Sequence, residues 1–161
     1  MNFDHKKIIF LTCLGNIAIS LACNFRSCNV KIIATDISEK ALKVARQNAK
    51  LHGVSEYIIF HQSDLLDYSK NRRSSDFCQI VPDIIVTNLP YIPTQRIPYL
   101  DPSVKDFEPH VALDGGEDGF ELYRNLFQQI KDRGWKPKLI IGEIDYTHGE
   151  LAILEAQKYF P

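Results

Sequence analysis

Residues 30–54 read VKIIATDISEKALKVARQNAKLHGV, and this stretch decides the fold class. Val30 to Thr35 is apolar and rich in β-branched residues, as expected of a strand buried on both faces of a parallel sheet. Asp36 closes the strand. Ser38 is suited to cap a helix, and Glu39 in the first turn suits the positive end of the helix dipole. Ala41, Leu42, Ala45, Ala49 and Leu51 then form an apolar stripe against Lys40, Lys43, Arg46 and Lys50. Gly53 stands where a helix C-terminal glycine belongs. A strand, an acid and a helix in that order make the first part of a βαβ unit.

The same alternation runs outward in both directions. Lys7 to Thr12 reads as a strand, Gly15 breaks the chain, and Asn16 to Asn24 reads as an apolar helix. Tyr57 to His61, Asp83 to Thr87 and Lys138 to Glu143 are three further strands. Residues 66–79 are polar and predict a helix fragment or loop. Phe120 to Lys131 predicts a helix with Leu122, Leu126, Phe127 and Ile130 on one face, and Gly149 to Phe160 a last helix. Between Asn88 and Asp118 there is no clean period, but there are five prolines and a Gly115–Gly116 pair. A connection this long within a compact domain is usually functional. Five parallel strands with intervening helices predict a doubly wound, Rossmann-like α/β sheet, one domain over residues 1–161. Ligands of such sheets bind beyond the carboxyl ends of the strands. The residues to weigh are therefore Leu11 to Gly15, Asp36, Asp64 and Asn88.

Composition narrows the function classes. The 161 residues are 45% hydrophobic and 24% charged, an ordinary globular balance. Nineteen Lys and Arg against twenty Asp and Glu leave a net charge of -1, which argues against a protein that holds nucleic acid mainly by charge. No apolar run approaches the roughly 18 residues of a membrane helix, and the N-terminus lacks the pattern of a cleaved signal. Cys13, Cys23, Cys28 and Cys78 show no two-residue spacing of a zinc or redox motif, so reduced thiols, a cytoplasmic location and no metal are expected.

Two positions carry weak signals and one a stronger signal. Asp36, about twenty residues after the first turn, suits the ribose hydroxyls of a nucleotide, although acids also end strands as plain turn formers. Asp64 in HQSDLL follows the third strand in the same way. Asn88-Leu89-Pro90-Tyr91, directly after the fourth strand, says more. A planar amide or amino nitrogen is a poor nucleophile because its lone pair is delocalised. A site that accepts both of its N–H bonds can aim that lone pair at an electrophile. The Asn88 side-chain oxygen and the Leu89 carbonyl can supply two acceptors. Pro90 restricts Leu89 to extended geometry, and Tyr91 can stack on a planar group.

This tetrapeptide resembles the Asn-(Pro/Leu)-Pro-Tyr signature of S-adenosylmethionine-dependent methyltransferases that act on amide or exocyclic amino nitrogens. With TDISEKALKVARQNAKLHGV, QSDLLD and VTNLPYIPTQRIPYLDPSVKDFEPHVALDGGEDGFELYRNL, the chain looks like the release-factor glutamine N5-methyltransferases. The resemblance runs from about Lys7 to Phe160. It implies a class I methyltransferase fold, S-adenosyl-L-methionine as cofactor, and as protein partner a peptide chain release factor, methylated on the glutamine of its Gly-Gly-Gln loop. It implies that Asp36 binds the ribose, that Asp64 and Leu65 border the adenine, and that Asn88, Leu89, Pro90 and Tyr91 hold the amide. It also places Asn88 near the cofactor's methyl end, and matches Gly115 and Gly116 to a glycine pair of the family.

The chain departs from the family in places. Leu89 stands where many members have proline, which gives up stiffness but keeps the carbonyl. The family's cofactor loop reads Asp-Leu-Gly-Thr-Gly-Ser-Gly, whereas this chain has Ile9-Phe10-Leu11-Thr12-Cys13-Leu14-Gly15. Leu11 and Cys13 replace two glycines that permit close backbone approach to a ligand, Ile9 replaces the acid, and Gly15 alone remains. The family's N-terminal helical domain and its last two strands have no counterpart, so the fifth strand is expected to present an exposed edge. Two alternatives stay open: a degenerate, non-catalytic Rossmann-like domain, and an adenine-N6 nucleic-acid methyltransferase in which Tyr91 stacks on a flipped base.

Overall fold

The computed structural model describes residues 6–11, 15–28, 30–67 and 80–160. These fall into two compact units, residues 1–87 with 135–141, and residues 88–134 with 142–161.

The first unit is built on the sheet. Strands β1 (Lys6–Leu11), β2 (Val30–Asp36), β3 (Ile58–Gln62), β4 (Ile84–Thr87) and β5 (Leu139–Gly142) lie in the order β3-β2-β1-β4-β5. β1 pairs in parallel with β2 and with β4, and β2 with β3. The register sets Leu11 opposite both Thr35 and Thr87, so three strand ends are level. The doubly wound sheet predicted from the sequence is therefore present. Ile32, Ile33, Ala34 and Thr35 are all buried, as they must be in a parallel strand covered on both faces. Helix α1 (Asn16–Asn24) packs Ala18, Ile19 and Ala22 into a core with Ile32, Ala34, Ala49, Val54 and Ile58.

Local signals account for α2 (Glu39–Leu51). The Ser38 hydroxyl accepts from the Ala41 N–H at 3.2 Å, and Gly53, at φ 63°, donates to the Lys50 carbonyl beyond the last turn. Leu42, Ala45 and Ala49 are buried, but Leu51, expected in the same stripe, is 83% exposed. It lies half a turn round the helix from Leu42, on the solvent face. β3 begins after a 3-10 turn over Ser55–Tyr57, which takes Tyr57 out of the strand. Leu66 and Asp67 belong to a tight turn closed by an Asp67 N–H to Asp64 carbonyl bond of 2.9 Å, while residues 68–79 of the predicted helix fragment or loop lie outside the described residues. Cys13 and Cys78 also lie outside them, and Cys23 and Cys28 are exposed free thiols. β5 is the edge of the described sheet, with Leu139 and Ile141 exposed. No described helix is long and apolar enough to cross a membrane.

The second unit holds the long connection, which is ordered by short pieces. A 3-10 helix covers Thr94–Tyr99, and single turns form α3 (Pro102–Lys105) and α4 (His110–Leu113). Each begins after a residue with φ near −55°, and the Asp101 carboxylate caps α3 through the Ser103 N–H at 2.8 Å. Helices α5 (Glu121–Asp132) and α6 (Gly149–Tyr159) follow. Tyr123, Leu126, Phe127 and Ile130 are the buried residues of α5, so the apolar face is rotated from the predicted one toward Tyr123. Phe120 stacks on Tyr123 at 4.9 Å between ring centroids, and Phe127 meets Phe160 at 5.3 Å.

Arg124 ties this unit together. Its guanidinium makes two hydrogen bonds to the Asp118 carboxylate and an ion pair with Glu155 of α6 at 3.0 Å. The Arg124 hydrogen bonds hold the Asp118 carboxyl down at about 2. A folded value below the unfolded value means that this contribution is full above about pH 4 and lost as pH falls through about 2. Asp118→Asn should therefore lower the melting temperature at neutral pH, and flatten its fall between pH 4 and 2. A melting series by circular dichroism over that range, for both proteins, checks it.

Candidate functional site

The carboxyl ends of β2 and β3 bring three of the expected residues into one region of the first unit. Asp36 pairs with Gln62 across the sheet, and its carbonyl accepts the Ser63 N–H at 3.0 Å. Its carboxylate accepts the Ser38 N–H at 2.8 Å, so the acid that ends the strand also shapes the entry to α2. Burial raises the Asp36 carboxyl above the usual carboxylate range, and the Ser38 N–H offsets part of that. Asp64 is exposed. Leu65, at φ 55°, is the one non-glycine residue of positive φ among the described residues. That conformation costs a leucine roughly 1–2 kcal/mol, and it persists only where neighbours over-determine it. Here the Asp64 to Asp67 turn and a long hydrogen bond from Thr35 Oγ1 to the Leu65 carbonyl, 3.4 Å, do so. The Ser63 hydroxyl, beside these residues, is buried without a hydrogen-bond partner among the described residues.

This set fits a nucleoside. Asp36 offers a carboxylate in a place of reduced solvation, and Asp64 and Leu65 offer an exposed acid and a fixed backbone. Gly15 has a different task. A Cβ at Gly15 would sit 2.7 Å from Ala45 Cβ and 3.3 Å from the Phe60 ring, and its φ is 69°. The glycine lets the start of α1 lie against α2, which explains why it is kept where two other glycines are not. Leu11 ends β1, and Cys13 lies outside the described residues.

Asn88 to Tyr91 open the second unit. Asn88 follows the last residue of β4, is exposed, and its side chain makes no hydrogen bond among the described residues. Leu89 is buried. Residues 92–94 are clasped by the connection that the sequence left without period. Ile92 donates to the Leu113 carbonyl and accepts from the Gly115 N–H, and Thr94 donates to the Gly116 carbonyl at 2.9 Å. Asp114 Oδ1 takes the Thr94 hydroxyl at 2.6 Å and the Gly116 N–H at 3.0 Å, bonds that hold this carboxyl below the usual range. The contact is main chain on main chain. A Cβ at Gly115 would lie 2.7 Å from the Gly119 carbonyl oxygen and 2.8 Å from both the Pro90 carbonyl oxygen and Tyr91 Cα.

Sequence reasoning missed two residues here. The Tyr91 hydroxyl donates to Glu143 Oε1 at 2.9 Å, and burial together with Glu143 raises the Tyr91 phenol. The Tyr123 hydroxyl donates to the Glu143 carbonyl at 2.5 Å and takes a hydrogen bond from the Leu89 backbone. Tyr123 reads as one more core aromatic on a helix. Glu143 carried a usable signal, because it stands at the carboxyl end of the fifth strand as Asp36 stands at that of the second.

Residues 12–96 match the family described as RMKL-like methyltransferase domain, UPF0020. The chain belongs to this methyltransferase family. The methyltransferase domain is 46% identical over 131 residues to a release factor glutamine methyltransferase of Dictyoglomus turgidum, covering 81% of this chain and 43% of the relative. It is 32% identical over 148 residues to one of Bacillus cereus, covering 91% and 49%. The domain thus spans about half the length of the curated relatives it matches. Among solved structures it resembles the ribosomal protein L11 methylase of Lactobacillus delbrueckii subsp. bulgaricus, with a TM-score of 0.58 and 18% identity over 95% of this chain and 58% of that one. TrmN of Thermus thermophilus gives 0.55 and 16% over 98% and 37%. At these identities the likeness is one of fold, and it is the class I methyltransferase fold that the resemblance implied.

The glycine contact gives a direct test. Gly115→Ala should destabilise the domain by roughly 1–3 kcal/mol, because the Gly119 and Pro90 carbonyls and the Tyr91 backbone must shift to admit a methyl group. Urea unfolding of the two proteins measures this. An unchanged midpoint would mean that the connection does not clasp Pro90–Tyr91 as described.

Proposed function

We propose that this domain is the methyl-transferring part of an S-adenosylmethionine-dependent N-methyltransferase, and that its substrate is the glutamine amide of a release factor's Gly-Gly-Gln loop. The observation that carries the reading is Asn88-Leu89-Pro90-Tyr91 set at the carboxyl end of a central parallel strand, with an exposed asparagine whose side chain makes no hydrogen bond among the described residues. The names of the relatives from Dictyoglomus turgidum and Bacillus cereus supply the substrate.

In this reading Asp36 holds the ribose, and Asp64 and Leu65 border the adenine. Leu11, Cys13 and Gly15 match positions of the family's cofactor loop and would face the methionine part. The bound cofactor would supply an electrophilic methyl carbon on a sulfonium. The protein's own part is orientation. Asn88 Oδ1 and the Leu89 carbonyl accept the two N–H bonds of the amide, which fixes the amide plane and with it the direction of the nitrogen lone pair, perpendicular to that plane. Pro90 keeps the Leu89 carbonyl in one direction, and Tyr91 stacks on the amide plane. Fixing the attack angle and distance is worth several orders of magnitude in rate. The proton released from nitrogen passes to water or to a nearby acceptor after transfer, so no strong base is needed beforehand.

Two experiments test the halves separately. Asn88→Ala should lower methyl transfer to a release factor by roughly a hundred-fold, the scale of one lost acceptor, with cofactor affinity within about two-fold of the parent. A large loss of cofactor binding in that variant would remove Asn88 from the amide role. Calorimetry should also find tighter cofactor binding in the double variant Leu11→Gly, Cys13→Gly, because glycine admits closer backbone approach. Unaltered affinity would show that the loop is not what limits cofactor binding.

A further inference from the structure

Tyr91 is held from a distance. Its hydroxyl is anchored on Glu143, and Glu143 is anchored in turn on Tyr123 through its own carbonyl. Tyr123 is 2% exposed and packed against Phe120, so the far end of this chain of contacts is rigid. Gly142 makes the last contact possible, because a Cβ there would lie 2.7 Å from the Tyr123 hydroxyl oxygen. Glycine at the end of β5 therefore lets a buried phenol reach the next carbonyl.

The carboxylates around Tyr91 divide cleanly. Glu143, Asp145 and Glu108 are the acids that bear on its phenol. Asp145 is taken by Arg96 at 3.0 Å and by the Thr147 hydroxyl and N–H. Glu143 is the one hydrogen-bonded to the Tyr91 hydroxyl. A tyrosine ring has two free torsions. The hydroxyl oxygen lies on the ring's own axis of rotation, so anchoring it fixes the first torsion, and the O–H bond, which conjugation keeps in the ring plane, ties the plane to the direction of Glu143.

We propose that Glu143 is a positioning residue for the amide-binding motif, setting the plane of Tyr91 through the hydroxyl, with Tyr123 positioning Glu143. This rests on the reading of Asn88–Tyr91 as an amide site. Glu143 is exposed, so its contribution is one of geometry more than of net binding energy. The carboxylate acts as an acceptor, and an amide oxygen in its place should serve nearly as well.

The test is a double-mutant cycle in the full 161-residue chain, using a release factor as methyl acceptor. Tyr91→Phe and Glu143→Ala should each lower turnover by roughly five- to ten-fold with the cofactor KM unchanged. The double variant should fall no further than either alone. Glu143→Gln should recover turnover to within about two-fold, since it keeps an acceptor oxygen. Additive losses, or a Glu143→Gln variant as slow as Glu143→Ala, would overturn the proposal. A second readout does not depend on turnover. With ring-labelled tyrosine, the Tyr91 phenol should titrate at lower pH in Glu143→Gln, because the carboxylate that raises it is gone. A Tyr91 titration unmoved by that change would also overturn the proposal. A parent chain that transfers no methyl group would defeat the amide-methylation reading, while the titration would still decide whether Glu143 holds the ring.

Discussion

The approach of the Gly115 backbone to Pro90 and Tyr91 is the contact on which the amide-side geometry depends. A peptide that follows a strand end has no ladder partner of its own. Here Ile92 and Thr94 find partners in Leu113, Gly115 and Gly116, and the two segments run side by side for a few residues. Only a residue without a Cβ can stand at position 115. With that segment clasped, Pro90 removes a further degree of freedom, and the Tyr91 hydroxyl finds Glu143. The asparagine just upstream is left exposed. An exposed amide beside a stiffened backbone is what a site needs when its work is to orient another amide.

The turn at the carboxyl ends of β2 and β3 is built differently. Leu65 adopts a left-handed conformation that leucine avoids, and Ser63 buries a hydroxyl without a partner among the described residues. Both departures sit next to Asp36 and Asp64, in line with the tendency of strain and unsatisfied polar groups to gather where a ligand binds. Gly15 shows the opposite case. It looks like the survivor of a ligand-binding loop, yet its missing side chain is filled by Ala45 and Phe60.

Much of the fold was legible because its signals are local. The β-branched run at Val30–Thr35, the Ser38 cap and the Gly53 stop are each satisfied within a few residues of chain, and each forms as read. Leu51 was misread because an apolar residue in the last turn of a helix counts toward the stripe only if the angle is followed around the axis. Tyr57 was misread because the 3-10 turn that removes it from β3 has no marker in composition. The stretch from Asn88 to Asp118 was recognised as unusual, but its two ends are joined by contacts between residues some twenty positions apart, which no periodicity records.

The sequence by itself determined the alternation of strands and helices, the acids and the amide at the strand ends, and through them the family. Those features depend on side-chain period and on residues adjacent in the chain. Tertiary structure alone decided what each glycine is for and how the motif is braced. Gly15 serves a helix contact, Gly115 a backbone contact, and Glu143 meets Tyr91 across 52 positions. The reason is physical: whether a Cβ has room, or a hydroxyl has a partner, depends on atoms brought close only by folding, and their separation along the chain carries no trace of it.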